Sequence, residues 1–256
     1  MGITVNTNIS SLIAQKSLNT ATTNMNTAME RMTTGYKINS SKDDAAGLAV
    51  SKKLNYQVSS LSVAQDNGQM GSSMLDTLEG VLGVYQSNLQ RIRDLTEQAA
   101  NGTYGTDSLF AIQTEVEARF NELTRLSKAS EFNGRYLLSG EITADIKLQV
   151  GITHDADVST ISLQHELFEQ ADASSLIGSF EGATAISDIC ETAYSDDVKA
   201  RAFLAKIDEA LANITDRTTM IGGYQQRIMS AIDAAGVMET NLTSANSLIQ
   251  DADIAV

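Results

Sequence analysis

The residues best suited to nucleophilic chemistry are few in this sequence of 256 residues. Cys190 is its single cysteine, and His154 and His165 are the two histidines that could deprotonate it. A thiolate activated by a histidine is a common protein nucleophile. Both histidines lie in the stretch with the least regular pattern, so we expect a free thiol instead. A single cysteine also excludes an intramolecular disulfide.

Two acidic clusters could serve a metal ion or acid–base catalysis. The run His154-Asp155-Ala156-Asp157 offers metal ligands, and Asp251 with Asp253 offers a pair of carboxylates. The first cluster falls in a predicted turn, where aspartate is common, and the second fits a solvated helix end. The sequence also contains no glycine-rich phosphate loop, no nucleophile elbow and no His-Glu-x-x-His motif. We therefore predict no enzyme, no cofactor and no metal site.

The composition favours long helices and disfavours several classes of partner. The chain has no proline, where an average content of about 5% predicts roughly a dozen, and proline breaks helix interiors. A net charge of −14 and a pI of about 4.5 argue against nucleic acid and against anionic membrane surfaces. No run approaches the ~18 apolar residues of a membrane span, and residues 1–18 lack the pattern of a cleaved signal peptide.

Apolar spacing predicts three long helices. The first begins at Ser41, which forms a capping-box-like pair with Asp44, and it ends near Asn101. Asp107 is expected to cap the second, and the third follows Ser195. In the first and third helices, mostly apolar residues recur at alternating steps of three and four positions, as in a coiled-coil seam, and the polar residues among them can set the register. The seams are Leu75, Leu78, Leu82, Tyr85, Leu89, Ile92, Thr96 and Ala99, and Leu204, Ile207, Leu211, Ile214, Thr218, Ile221, Gln225, Ile228, Ile232, Ala235, Glu239, Leu242, Asn246 and Ile249.

These elements predict a mainly α fold, an elongated antiparallel bundle of long coiled-coil-like helices with a small β-hairpin near residues 146–163. Gly68 and Gly71 predict a bend in the first helix or a close approach of another helix to it. Residues 164–194 have no clear periodicity and are expected to be irregular. Residues 1–40 have a thin apolar track, which predicts a helix that is marginal until it packs against a partner. Its members are Val5, Ile9, Leu12, Leu18, Met25, Met29 and Met32.

Five stretches, in the right order, resemble the bacterial flagellins, the subunits of the flagellar filament. The most specific is the run Glu30 to Gly47, Glu-Arg-Met-Thr-Thr-Gly-Tyr-Lys-Ile-Asn-Ser-Ser-Lys-Asp-Asp-Ala-Ala-Gly, which is similar to the family's amino-terminal signature. The other stretches are residues 3–18, residues 89–100, Glu131-Phe-Asn-Gly-Arg with Leu148-Gln-Val-Gly and Ile161-Ser-Leu, and residues 241–255.

The resemblance implies a structural protein rather than an enzyme. Residues 1–40 would be an amino-terminal assembly segment, residues 41–250 a helical core with a variable segment at 164–194, and residues 251–256 the start of a truncated carboxy-terminal assembly segment. It would be a short flagellin without large outer domains, lacking the family's terminal helix. The implied location is the extracellular flagellar filament, reached by secretion without a cleaved signal, and the implied role is motility.

The resemblance also implies partners and an interaction surface. The partners are other copies of the chain in a helical homopolymer, the flagellar cap and hook-junction proteins, an export chaperone and the vertebrate flagellin-sensing Toll-like receptor of innate immune recognition. A hook–filament junction protein is the alternative within the flagellum. Periodicity alone predicts a charged helix face around Arg91, whereas the resemblance implies receptor and subunit contacts there. The matching residues are Gln90, Arg91, Leu95, Gln98, Glu115 and Arg119.

Overall fold

The computed structural model describes residues 8–253, and the predicted apolar residue Val5 lies outside them. Three helices dominate: α1 (Ile9–Thr34), α2 (Ala45–Ala99) and α7 (Asp197–Gln250), with α3 (Thr106–Ala129) next in length. The chain divides into two compact units. The terminal unit combines Met1–Val63 with Ala235–Val256, and the middle unit is Ala64–Ala234.

Local capping explains where α1 and α2 begin and end. Asn8 accepts a hydrogen bond from the Ser11 amide at the start of α1, and Gly35 ends it with a φ of 76°, which glycine adopts without strain. Asp44 caps α2 by accepting from the amides of Ala46 and Gly47. The predicted cap at Ser41 is therefore wrong, because the carboxylate nearest to the first free amides takes that role.

The terminal unit has polar contacts between α2 and α7 and a very small core. Ser51 donates to Gln250 at 2.5 Å, and Asn246 donates to Asn55 at 3.1 Å. Among its described residues, only four side chains are buried: Ile38, Ser51, Leu61 and Ala235. Such a core stabilises a helical unit weakly, because helix stability comes mainly from packing of an apolar face.

In the middle unit, α2 and α7 pack antiparallel along the predicted seams. Asp76 contacts Gln225, whereas Arg93, farther along α2, contacts Asp208, nearer to the start of α7. All eight predicted seam residues of α2 are buried, and those of α7 are buried or half-buried. The predicted mainly α fold with long helices and a small antiparallel hairpin is confirmed.

Helix α3 contributes Ile112, Val116, Phe120 and Leu123 to the core of the middle unit. It contacts α2 where the Tyr85 hydroxyl donates to the Leu123 carbonyl. Its N-cap is Gly105, with no side-chain cap, so the predicted cap at Asp107 is wrong. Asp107 instead lies in the first turn, where a carboxylate is favoured by the positive end of the helix.

Two β-hairpins follow α3. Strands β1 (Glu131–Phe132) and β2 (Arg135–Tyr136) are joined by Asn133-Gly134, both with positive φ, as a tight hairpin turn requires. Strands β3 (Ile146–Gln149) and β4 (Thr160–Leu163) form the predicted hairpin. The short helix α4 (Ala156–Ser159) lies between them, and Asp155 caps it. Asp155 thus has a structural role in the predicted turn.

The expectation that residues 164–194 are irregular is wrong. They contain a 3₁₀ turn (His165–Phe168), α5 (Ala173–Ile177) and α6 (Ile186–Ala193). Short elements of four to eight residues carry too little periodicity to be recognised from sequence. Their apolar side chains belong to the middle unit's core, namely Leu167, Phe168, Ala171, Ala173, Leu176, Ile177, Phe180, Ile189, Cys190, Ala193 and Tyr194.

Candidate functional site

The predicted interaction surface forms a charged cluster across α2 and α3. Glu115 of α3 accepts from Arg91 of α2 at 3.2 Å and from Arg119, one turn along α3, at 3.1 Å. Arg119 also donates to the side-chain oxygen of Asn88 at 3.3 Å. One carboxylate therefore holds two guanidinium groups in fixed positions. We name Arg91, Glu115 and Arg119 the arginine cluster.

The electrostatics of the arginine cluster favour its ionised form. The hydrogen bond from Arg119, and then the charge and hydrogen bond of Arg91, lower the pKa of Glu115 below its ordinary value. The three side chains are between 33% and 45% exposed, so solvent screens these pairs. The cluster presents charge and hydrogen-bond donors to a partner rather than a proton for catalysis. Gln90 and Gln98 are exposed on the same helix as Arg91.

Leu95 differs from the expectation for this surface. Its side chain is only 3% exposed and belongs to the core of the middle unit. The heptad pattern assigns the inward positions to Ile92, Thr96 and Ala99, but the helix buries a wider stripe because other elements also cover it. Leu95 therefore packs beneath the charged surface, and a partner that binds this surface cannot contact its buried side chain.

A second candidate site is α1, where apolar side chains have no cover. No residue of this helix is buried. At 100° per residue, Ile9, Leu12 and Ile13 lie on one side, while Leu18 and Met29 lie on the opposite side. The exposed apolar residues are Ile9 (65%), Leu12 (56%), Ile13 (61%), Leu18 (67%), Met25 (55%), Met29 (53%) and Met32 (71%). We call them the α1 apolar residues. Their arrangement requires cover on both sides of the helix.

The candidate catalytic residues are not arranged for chemistry. Cys190 is fully buried, and this burial raises the pKa of its thiol to about 12, so the thiolate does not form near neutral pH. His154 and His165 are exposed, and His165 contacts Asp145 at 3.4 Å. Within residues 8–253 no cluster of three potential metal ligands occurs. Over the same range, no helix has the length and hydropathy needed to cross a membrane.

Comparison with known proteins decides the family. The model of the bacterial flagellin N-terminal helical region matches residues 5–143, and that of the C-terminal helical region matches residues 204–256. The chain belongs to the flagellin family. Together these matches include α2, most of α7, the arginine cluster and the α1 apolar residues.

Individual flagellins agree with this assignment. The B-type flagellin of Pseudomonas aeruginosa is 47% identical over 165 residues, covering 64% of this chain but only 33% of its own length. The chain thus spans about a third of that protein. The 33 kDa flagellar filament core protein of Treponema phagedenis is 30% identical over 260 residues, covering 98% of this chain and 87% of its own length. The crystal structure of Bacillus cereus flagellin is 27% identical, with a TM-score of 0.52, covering 66% of this chain and 88% of its own.

Proposed function

We propose that this chain is a structural subunit of the bacterial flagellar filament, located outside the cell, and that it assembles with other copies into a helical homopolymer. The observation that carries the proposal is the uncovered apolar surface of α1. A helix with seven large apolar side chains exposed by half or more is stabilised when a partner removes that surface from water.

The physical mechanism is an interface between different surfaces of successive copies. A contact of this kind whose rotation does not close a ring produces an open helical polymer. The small core of the terminal unit fits this role, because the unit gains most of its stability from contacts between copies.

The other partners of the flagellum are part of the proposal: the cap protein, the hook-junction proteins and an export chaperone. A hook–filament junction protein is the alternative function. The sequence block around Arg91 and the block 241–255 resemble flagellin proper, which favours the filament subunit. That this is a short flagellin without large outer domains also stays a prediction. It is supported by residues 164–194, whose apolar side chains lie in the core of the middle unit.

Assembly of the full-length protein tests the proposal. We expect filaments by electron microscopy. We expect Met25→Ser with Met29→Ser to raise the critical concentration roughly tenfold to a hundredfold, because assembly would bury the exposed half of each methionine, which is worth about 1.5–3 kcal/mol for the two together. Thr20→Ser with Asn24→Ser changes exposed polar residues of the same helix and should leave assembly unchanged. Unaltered assembly in the methionine variant would contradict the proposed role of α1.

We also propose that the arginine cluster, with Gln90 and Gln98, binds the flagellin-sensing Toll-like receptor. Arginine is common among the residues that dominate binding energy. Arg91→Ala should weaken binding to the purified receptor ectodomain by about 1 kcal/mol or more. Arg125→Ala is the control, because it breaks a comparable exposed pair with Glu122 on α3. Equal affinity of the two variants, or no binding by the unaltered protein, would refute this proposal.

A further inference from the structure

An exposed face of α2 in the terminal unit combines charge with apolar surface. Lys52 and Lys53 are exposed, Tyr56 is 71% exposed and Val63 is 55% exposed. At 100° per residue, Lys52, Tyr56 and Val63 lie within about 40° of one another around the helix, with Lys53 beside them. We name these four residues the lysine–tyrosine face. The face thus presents two exposed apolar side chains beside two cationic ones.

The lysines of this face have no acidic partner within the described chain. Residues 45–63 of α2 contain Lys52 and Lys53 but no aspartate or glutamate. None of the ion pairs identified among residues 8–253 involves Lys52 or Lys53. Leu61, which lies on the side of α2 opposite Lys52, is buried. The lysine–tyrosine face is therefore available to another molecule.

The charge of the chain is divided unevenly between the two units. The terminal unit contains six lysines and arginines and six aspartates and glutamates, so its formal charge is zero. The middle unit contains twelve basic and twenty-six acidic residues and carries the whole net charge of −14. Eight of its twelve basic residues already form ion pairs with carboxylates of the same unit. Many carboxylates of the middle unit therefore have no cation beside them.

We propose that the lysine–tyrosine face binds the acidic surface of the middle unit of a second copy of this chain. Lys52 and Lys53 would pair with carboxylates of that copy, and Tyr56 and Val63 would lose their exposed apolar surface. The contact joins two different surfaces, so it can repeat from copy to copy, and it gives an open polymer when its rotation does not close a ring. The inference rests on the proposed function and adds to it a pair of surfaces that are distinct from the α1 apolar residues.

Zero-length cross-linking tests which groups meet. A carbodiimide activates a carboxylate. A lysine amine in direct contact with it then attacks the carboxyl carbon, so that an amide forms and the activated oxygen leaves with the carbodiimide as a urea. The assembled full-length protein would contain equal parts of ¹⁴N- and ¹⁵N-labelled copies, so that mass spectrometry identifies links between copies. We expect mixed-isotope links from Lys52 or Lys53 to carboxylates within residues 64–234 in the assembled protein, and none in the dispersed protein.

Charge reversal gives the second measurement. Lys52→Glu with Lys53→Glu should raise the critical concentration about tenfold, since each exposed pair contributes modestly and reversal adds repulsion. Lys128→Glu with Arg135→Glu changes the net charge equally at exposed positions of the middle unit and should have a smaller effect. Filaments that form without the expected links, or that tolerate the reversal, would overturn this inference and leave the proposed function intact. Failure of the unaltered protein to assemble would overturn both.

Discussion

Leu148 of the β3–β4 hairpin fills the space that a β-carbon on Gly71 would occupy. The ideal β-carbon position at Gly71 lies 2.4 Å from Leu148 Cδ1 and 3.3 Å from its Cγ. One turn earlier, the corresponding position at Gly68 lies 2.8 Å from Ile232 Cγ1 of α7. Gly68 lets α7 approach α2 closely, which is the helix approach predicted from the sequence. Gly71 lets the hairpin approach α2, which the sequence did not predict.

Gly71→Ala should lower the free energy of unfolding by about 1 kcal/mol, because overpacking costs about 1–3 kcal/mol and alanine returns up to about 1 kcal/mol of helix propensity. Gly80→Ala and Gly83→Ala are matched controls in the same helix. Their β-carbons would meet nothing within 4 Å, so we expect a gain in stability of about 0.5–1 kcal/mol. Urea unfolding of the three variants checks this, and a gain at position 71 equal to the controls would contradict the packing argument.

Phe203 of α7 joins the segment 164–194 to the long helices. Its ring contacts Phe180 at 5.2 Å, Tyr194 at 6.1 Å and Phe120 at 6.4 Å between centroids, all edge to face. Phe203→Ala should therefore destabilise the protein by about 3–5 kcal/mol. Phe110→Ala removes an equal side chain that is 68% exposed and should change stability by less than about 0.5 kcal/mol. Comparable losses in thermal unfolding of both variants would be incompatible with this assignment.

The sequence predicts the long helices well because their burial repeats many times. Each seam residue, from Leu75 to Ala99, repeats the same spacing, so the pattern survives single exceptions. The segment 164–194 carries no such repeat, because its helical elements are only four to eight residues long. Leu95 shows the same limit at the candidate site. Its burial depends on neighbouring elements, which the spacing within α2 does not reveal.

The arginine cluster should make stability depend on acidic pH. Hydrogen bonding from Arg119 and the charge of Arg91 lower the folded pKa of Glu115 below its ordinary value of 4.5. Because its pKa is lower in the folded state, the ionised Glu115 stabilises the folded protein above pH 4.5. This stabilisation is lost as the pH falls through the pKa of the folded state. Glu115→Gln should flatten this part of the stability–pH curve. Glu131→Gln, at an exposed strand position, is the control, and identical acid limbs for both variants would count against the cluster.

The buried thiol of Cys190 should make stability depend on alkaline pH. Desolvation raises its folded pKa from 9.0 to about 12, so the unfolded chain loses this proton first. The contribution of the buried thiol to the free energy of unfolding is therefore complete below pH 9 and falls between pH 9 and 12, by about 1.4 kcal/mol per pH unit.

Burial raises the pKa of Tyr85 and Tyr194 as well, so the contribution of the thiol must be obtained as the difference between the unaltered protein and a variant without it. Urea unfolding at pH 8 and pH 10 should show a smaller alkaline loss for Cys190→Ala than for the unaltered protein. Equal losses would mean that solvent reaches the thiol in the folded chain, and rapid alkylation of native Cys190 at pH 8 would lead to the same conclusion.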